Sequence, residues 1–410
     1  MTERRCLRVA QVITRMIVGG AQENTFLTAR DLGQIEDQAA SSSIPVRTTL
    51  LAGPETGSEG SLWDEVRAAS ISHETISPLI RAVDPRQDWR AYRELRTRFG
   101  GGKFDLVHTH SSKAGILGRR AAARAGVPAI VHTVHGWPFH PGQSRALRQG
   151  YVALERRAAR WADALVAVSE DDIESGLRLG IGSPEQYTLI RSGVDLERFG
   201  NPSRSGAEMR ADLGLPRDAP VLGSVTRLSP QKAPLDLIEL FAMVAELVPE
   251  AHFLLVGDGP LRGDVIRRIQ EKSLTDRVVL EPLRRDVPEL LTVLDLFALT
   301  SRWEGLPRTV PEALTAGVPV VALGVSGVGD LIKTGETGIV RDSGDLRGLA
   351  EDSARLLRDP GTRDRLGREG QRRAARFGGA EMIRQLAELY RRILLSKGWF
   401  RELDRVCPDP

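Results

Sequence analysis

One recurring couple constrains the fold of this chain more than any other feature. A short, continuously apolar run rich in β-branched residues is followed by a longer stretch with helical spacing. "LRVAQVI" precedes "AQENTFLTARDL", "FDLVHTH" precedes "KAGILGRRAAARAG", "AIVHTVHG" precedes "YVALERRAARWA", and "ALVAVS" precedes "EDDIESGLRLG". In the second half "VLGSVTRL", "AHFLLVGDG", "RVVLE", "LDLFALT" and "VPVVAL" each lead into a helical or loop segment. Strands without a polar face must be covered on both sides, and parallel strands need crossovers long enough to hold a helix. The pattern predicts an α/β chain of doubly wound parallel sheets. Its 410 residues exceed what one ordinary core serves, so two domains are expected. The polar, Gly- and Pro-rich passage "DLERFGNPSRSGAEMRADLGLPRDAP" marks the boundary. The expected division is a first domain over 1–200, a linker over 201–220, a second domain over 221–385 and a C-terminal helix and tail over 386–410.

In such sheets ligands bind beyond the carboxyl ends of the strands, at helix N-termini. Gly19 and Gly20 fall between the first strand and its helix, where glycines let backbone amides approach a phosphate. Gly257 and Gly259, in "VGDGP", hold the equivalent place after a later strand. No G-x-G-x-x-G follows a predicted strand and no Walker A sequence is present, which argues against a nicotinamide dehydrogenase. Arg227 ends a strand and Lys232 stands five residues on, before a helix; two fixed cations there suit a diphosphate. Glu304 and Glu312 lie in "SRWEGLPRTVPEALTAGVPVV", with seven residues between them. Thr309 to Glu312 also reads T-x-x-E, a capping box, which accounts for Glu312 but not for Glu304. Five of the seven histidines lie between His108 and His140. Zinc is one reading of "HTH" and "HTVH", although neither fits a helical metal spacing. His135, followed directly by Gly136, better suits a neutral histidine donating to a substrate hydroxyl.

Cys6 and Cys407, near opposite ends, give neither a disulfide framework nor a metal spacing, and a reducing compartment is expected. The opening "MTERRCLRVAQVI" reads as a first strand rather than a signal peptide, and no run is long enough to span a bilayer. Net charge is only +3, but ten Lys/Arg face Asp105 and Glu155 alone between Lys103 and Trp161. Arg119, Arg120, Arg124, Arg145, Arg148, Arg156, Arg157 and Arg160 fall on helical segments. They predict either a surface that attracts anionic lipid or a phosphorylated substrate, or a merely solvated arginine face. Nucleic acid is not expected, because aromatics are not interleaved with the charges.

Taken in order, "GGAQ", "HTHSSKAG", "HTVHG", "VAVSE", "SGVDLERF", "TRLSPQK", "VGDGP" and "SRWEGLPRTVPEALTAGVPVVA" resemble glycosyltransferase family 4 over nearly the whole chain. The resemblance implies the GT-B fold, two Rossmann-like domains facing a cleft, and retaining transfer of a sugar from a nucleoside diphosphate. It implies that Glu312 bonds the ribose, that Glu304 contacts the transferred sugar, and that amides around Gly305 and Leu306 face sugar and diphosphate. Arg227 and Lys232 match the pair that binds the leaving diphosphate. Gly20 matches the glycine where donor phosphate and acceptor approach the backbone, and His135 matches the histidine near the reacting centre. It also implies a nucleotide-binding second domain and a C-terminal stretch, "AEMIRQLAELYRRILL", that packs back on the first. Thr226 and Ala233 stand where glycines are usual, Ser192 where Asn is usual in "NGVD", and "GVGD" replaces a common Gly-x-Pro-Glu.

The expected function is therefore a metal-independent hexosyltransferase, without cofactor, with a UDP- or GDP-type sugar donor and a sugar or lipid-linked glycan acceptor. Cell-envelope or exopolysaccharide assembly is the expected setting. The expected location is cytoplasmic, peripheral at the inner face of the membrane if the basic surface binds lipid. The competing functions are a sugar-nucleotide epimerase, a phosphorylase, or a non-catalytic nucleotide-sugar-binding protein.

Overall fold

The computed structural model describes residues 6–34, 45–55, 60–140 and 142–399; Cys407 and the rest of the expected tail lie outside them. Among the described residues thirteen strands form two separate sheets, and every strand pair is parallel. The chain divides into two compact units. One comprises residues up to Gly193 together with those from Gly379 onward; the other is Val194–Gly378.

The first unit holds β1 (Leu7–Arg15), β2 (Val46–Gly53), β3 (Ser72–Thr75), β4 (Leu106–His110), β5 (Ala129–Val134), β6 (Ala164–Ala167) and β7 (Tyr187–Leu189), in the order β3-β2-β1-β4-β5-β6-β7. The second holds β8 (Val221–Val225), β9 (His252–Val256), β10 (Val278–Glu281), β11 (Leu296–Leu299), β12 (Val320–Leu323) and β13 (Gly338–Arg341), ordered β10-β9-β8-β11-β12-β13. The central strands are buried throughout, β4, β5, β6, β11 and β12 without an exposed residue. That is why their sequences run apolar instead of alternating.

Two features of the first unit bear on function. Its helix Gly379–Ser396 buries Met382, Ile383, Leu386, Leu389, Tyr390, Ile393 and Leu394. This stripe packs on a sheet face made by Leu7 and Val9, Leu106, Ala129 and Val131, and Ala164 and Val166. The chain thus returns to the first unit at Gly379, earlier than residue 386. Also, residues 201–220 are not a bare linker. They contain the helix Gly206–Asp212, with a capping box between Ser205 and Glu208 that satisfies its first amides.

The opposite face carries the helices Pro85–Phe99, Ser112–Ala125 and Arg145–Ala159, packed side by side. Arg119 is not part of a basic surface here. It is fully buried, with Nη2 2.6 Å from a Glu155 carboxylate that is equally buried, and Nε donating to the Gly115 carbonyl. The exposed charge comes instead from Arg120, Arg124, Arg145, Arg148, Arg156, Arg157 and Arg160, joined by Arg86, Arg90, Arg93 and Arg96 of the helix Pro85–Phe99. Val83 and Trp89 are exposed beside the latter, at 75% and 54%.

Candidate active site

Each sheet changes direction once. From β8 the chain winds outward through β9 and β10, then returns to the other side of β8 as β11; β1 and β4 bear the same relation in the first unit. Loops leaving two such neighbours part to opposite faces and open a crevice at the strand ends. Most of the expected site residues fall at these two places, while Gly257 and Gly259 follow β9 and His135 follows β5.

In the second unit the loop after β8 carries Arg227 and Lys232, and the loop after β11 carries Glu304. Lys232 Nζ lies 2.5 Å from Glu304 Oε1, an ion pair across 72 residues of sequence with side chains 23% and 5% exposed. The loops are laced together by Gln231, which sequence reasoning missed. Its carbonyl accepts from the Arg302 amide at 2.8 Å, and its Nε2 donates to the Trp303 carbonyl at 3.0 Å. Ala233 takes the left-handed conformation (φ 46, ψ 56) where glycine would be unstrained, and its carbonyl accepts from Thr300 Oγ1 at 3.3 Å. Gly257 and Gly259 have a packing job: φ is +146 and +156, and an added Cβ would lie 1.9 Å from the Thr226 carbonyl oxygen and 2.5 Å from that of Leu228. These two glycines therefore let the loop after β9 pack directly on the loop that bears Arg227.

Gly305 and Leu306 are buried behind Glu304. A Cβ on Gly327 (φ +77) would meet the Gly305 carbonyl oxygen at 1.9 Å, so Gly327, also missed from sequence, sets the depth of that loop. Glu312 is 6% exposed in the first turn of the helix Thr309–Thr315, with its carboxylate 3.9 Å from Arg308 Nη2. The expected capping box does not form. Arg308 already has helical angles (φ −60, ψ −29), which moves the helix start back by one residue, and no side chain caps it. Glu312 thus lies at the fourth position of the helix, where it does not complete a box capped by Thr309.

In the first unit Gly20 opens the helix Gly20–Asp31, with Gly19 before it in extended conformation (φ 172). A Cβ on Gly19 would touch only the end of the Gln22 side chain, so the fold itself asks little of that glycine. At the end of β4, Ser111 holds φ 60 and its hydroxyl meets Thr14 Oγ1 at 2.8 Å. The histidines form a connected network rather than a metal-type group; among the described residues no cluster of three or more His, Cys, Asp or Glu is arranged to hold a metal ion. Gln11 on β1, His108 and His110 on β4, and Thr133 on β5 share the sheet face covered by Tyr390. His110 Nε2 is 2.8 Å from Gln11 Oε1, and His110 Nδ1 is 3.0 Å from Nε2 of the half-buried His135. On the other face His132 Nδ1 meets Thr109 Oγ1 at 2.9 Å. Burial first, and then neighbouring histidine charge, pushes His108 down to about 3 and His110 well below the ordinary value; His132 is lowered likewise by burial and then by Arg119.

Two parallel-sheet units, with a cation–carboxylate pair at the switch point of the second, define a two-domain GT-B protein. Residues 206–373 match the model of the glycosyl transferases group 1 family, and residues 40–193 that of the glycosyl transferase 4-like domain. The chain is 35% identical over 301 residues to a UDP-Gal:alpha-D-GlcNAc-diphosphoundecaprenol alpha-1,3-galactosyltransferase of Escherichia coli, covering 73% of this chain and 76% of that one. It is 31% identical to a D-inositol 3-phosphate glycosyltransferase of Thermobispora bispora, over 72% and 73% of the two chains. Among solved structures, Anabaena HepE in complex with UDP and glucose superposes with a TM-score of 0.80 at 22% identity, over 94% of this chain and 99% of that one. The chain belongs to the GT-B glycosyltransferases of the family 4 type.

Three histidines buried neutral carry a stability consequence. Their folded pKa lies below the unfolded value near 6.5. The unfolded chain therefore binds more protons once pH falls below that value, and stability drops with pH. His108 alone contributes a loss of about 1.4 kcal/mol per pH unit on the way down toward its folded pKa. The urea midpoint of the first unit should fall clearly between pH 6.5 and 4.5, above the range where most carboxylates titrate. A flat midpoint across that window would mean that these histidines are not buried neutral.

Proposed function

We propose that the protein is a retaining hexosyltransferase that moves a sugar from a nucleoside diphosphate to an acceptor hydroxyl. The observation that carries this reading is the Lys232–Glu304 pair at the β8/β11 switch, on the loop that also carries Arg227. One loop offers cations for a diphosphate, and the other offers a carboxylate for sugar hydroxyls. UDP is the favoured nucleotide, because the Escherichia coli relative is named for UDP-Gal and HepE was solved with UDP and with UDP-glucose. The same relative's name points to a diphosphate-lipid-linked sugar as acceptor, and to envelope or exopolysaccharide glycan assembly.

In this reading the bond from the anomeric carbon to the diphosphate oxygen breaks as the acceptor oxygen approaches from the same face. The departing oxygen takes the acceptor's proton. Negative charge then grows on the diphosphate, where Arg227 and Lys232 stabilise it more in the transition state than in the ground state. Glu304 orients the sugar, Glu312 the ribose, and amides of Gly305 and Leu306 assist. Because the two cations supply the countercharge, the reaction is read as metal-independent and cofactor-free. An epimerase would need no acceptor, and a phosphorylase would need inorganic phosphate.

The test is acceptor-dependent turnover of UDP-hexoses in chelator, with the product's anomeric configuration read by NMR. Retention is expected. Arg227→Met and Lys232→Met should lower kcat by roughly 100-fold, the scale of a lost oxyanion donor. Inverted product, or wild-type turnover in both variants, would overturn the reading; activity restored only by a divalent metal would overturn its metal-independent part.

We further read the arginine-rich face of the first unit as a surface for anionic lipid, which would place the protein peripherally at the inner face of the membrane. Exposed Trp89 and Val83 amid Arg86, Arg90 and Arg93 have the mixed character of an interfacial anchor. No helix among the described residues is long and apolar enough to cross a membrane. Co-sedimentation with phosphatidylglycerol vesicles should be strong at low salt, weak at high salt, and reduced in Arg90→Glu/Arg93→Glu. Equal recovery with neutral and anionic vesicles would refute the lipid surface.

A further inference from the structure

The loop after β8 is held by two different neighbours, one for each of its cations. Its first half is tied to the loop after β9. The Thr226 amide donates to the Val256 carbonyl at 2.9 Å, the Leu228 amide to the Asp258 carbonyl at 2.9 Å, and the Leu261 amide to the Leu228 carbonyl at 3.0 Å. Arg227 lies inside that half. The second half is tied instead to the loop after β11, through the bonds that Gln231 makes to Arg302 and Trp303 and that the Ala233 carbonyl accepts from Thr300. Lys232 lies between those ties. Only Ser229 and the exposed Pro230 separate the halves, closed by the Ser229 amide on the Arg227 carbonyl at 2.8 Å and the Lys232 amide on the Ser229 carbonyl at 3.0 Å.

Backbone amides and carbonyls come with almost any residue, but the bond from Gln231 Nε2 does not. A carbonyl oxygen only accepts, so the amide end that faces Trp303 has to be the donating one. Glutamate would bring an oxygen that cannot donate and a second carboxylate beside Lys232. Asparagine is one methylene shorter, and methionine has the length without the donor. The bond grips the residue directly before Glu304, and Gln231 itself directly precedes Lys232. One side chain therefore sets the register between two residues whose charged ends meet at 2.5 Å. Ala233, held in the left-handed region at φ 46 although it is not glycine, shows that its surroundings over-determine this half of the loop.

We propose that Gln231 is a positioning residue for sugar transfer: it sets Lys232 against Glu304 and leaves Arg227, anchored on the other side of the loop, in place. This rests on the reading of Lys232 and Glu304 as the donor site. Charge growing on a leaving group is stabilised by groups that are already in place, and a small misplacement there is felt in the rate more than in ground-state binding. A lysine released from this register still reaches a diphosphate, so the loss of Gln231 shows in kcat and not as weaker nucleotide binding.

The experiment is a double-mutant cycle on the full-length protein with wild type, Gln231→Met, Glu304→Gln and the double variant. Two quantities are read: UDP affinity by calorimetry, and kcat on the UDP-hexose and acceptor that support turnover. Gln231→Met should lower kcat by about tenfold, the scale of one hydrogen bond, and bind UDP at least as tightly as the wild type. In the Glu304→Gln background the same substitution should cost no further kcat, because the carboxylate that it positions is already gone. Thr300→Val, which removes the bond to Ala233, should lower kcat by about threefold, and it carries the test if Gln231→Met does not fold. Equal losses in both backgrounds, or UDP binding weakened along with kcat, would make Gln231 a structural loop residue and overturn the proposal. Wild-type kcat in the variant that folds would overturn it too. Wild-type kcat in Glu304→Gln would instead refute the donor-site reading itself, which separates the two failures.

Discussion

The parting of the chain at β1/β4 and at β8/β11 is the constraint on which the rest of this structure depends. Parallel strands joined by helical crossovers leave each sheet with one place where adjacent strands send their loops to opposite faces. Backbone there is not consumed by the crossovers, so polar groups can be gathered without interrupting the core. Arg227 and Lys232 reach that place from β8, and Glu304 reaches it from β11. In the first unit Gly19 and Gly20 follow β1, Ser111 follows β4, and His135 stands one strand further out. The apolar strands make most of the core, with Gln11, His108 and Thr133 as hydrogen-bonded polar exceptions inside it.

The electrostatics of the second unit follow from that placement. An ion pair with side chains only 23% and 5% exposed is poorly solvated, so each partner depends on the other for compensation. Lys232 neutralises Glu304. Under the proposed function a diphosphate would offer the lysine a different anion, and sugar hydroxyls would offer the carboxylate different donors. The pair would then exchange one satisfied arrangement for another, which would limit the reorganisation that binding demands. Gln231 and Ala233 tie the two loops together, while Gly257, Gly259 and Gly327 let neighbouring loops pack directly on them.

Much of this was legible in the sequence, for identifiable reasons. Strand and helix periodicities differ, so the α/β architecture could be read from runs such as "FDLVHTH" and "AHFLLVGDG". The strand-end residues could be read because parallel sheets bind ligands at one end. What escaped were long-range pairings. Gln231 looks like any loop glutamine until its partners at Arg302 and Trp303 are known. Arg119 looks like surface charge until Glu155, a helix away, is placed against it. The capping box at Thr309 matched locally, but Arg308 extends the helix by one residue. The passage 201–220 read as a linker because its Gly and Pro content hid a short helix capped by Ser205. The network joining Gln11 to Tyr390 could not be seen at all, since its members lie hundreds of residues apart and only the sheet brings them together.

The central claim is that Lys232 and Glu304 form the donor site and that the diphosphate competes with Glu304 for the lysine. Calorimetric titration of UDP into the wild type, Glu304→Gln and Lys232→Met tests it most directly. Removing the carboxylate should release Lys232 to the diphosphate, so Glu304→Gln should bind bare UDP more tightly, by roughly tenfold for about 1.4 kcal/mol of relieved competition. Lys232→Met should bind it more weakly. Weaker or unchanged UDP binding in Glu304→Gln would contradict the account, because the pair would then be a structural salt bridge that the donor never opens.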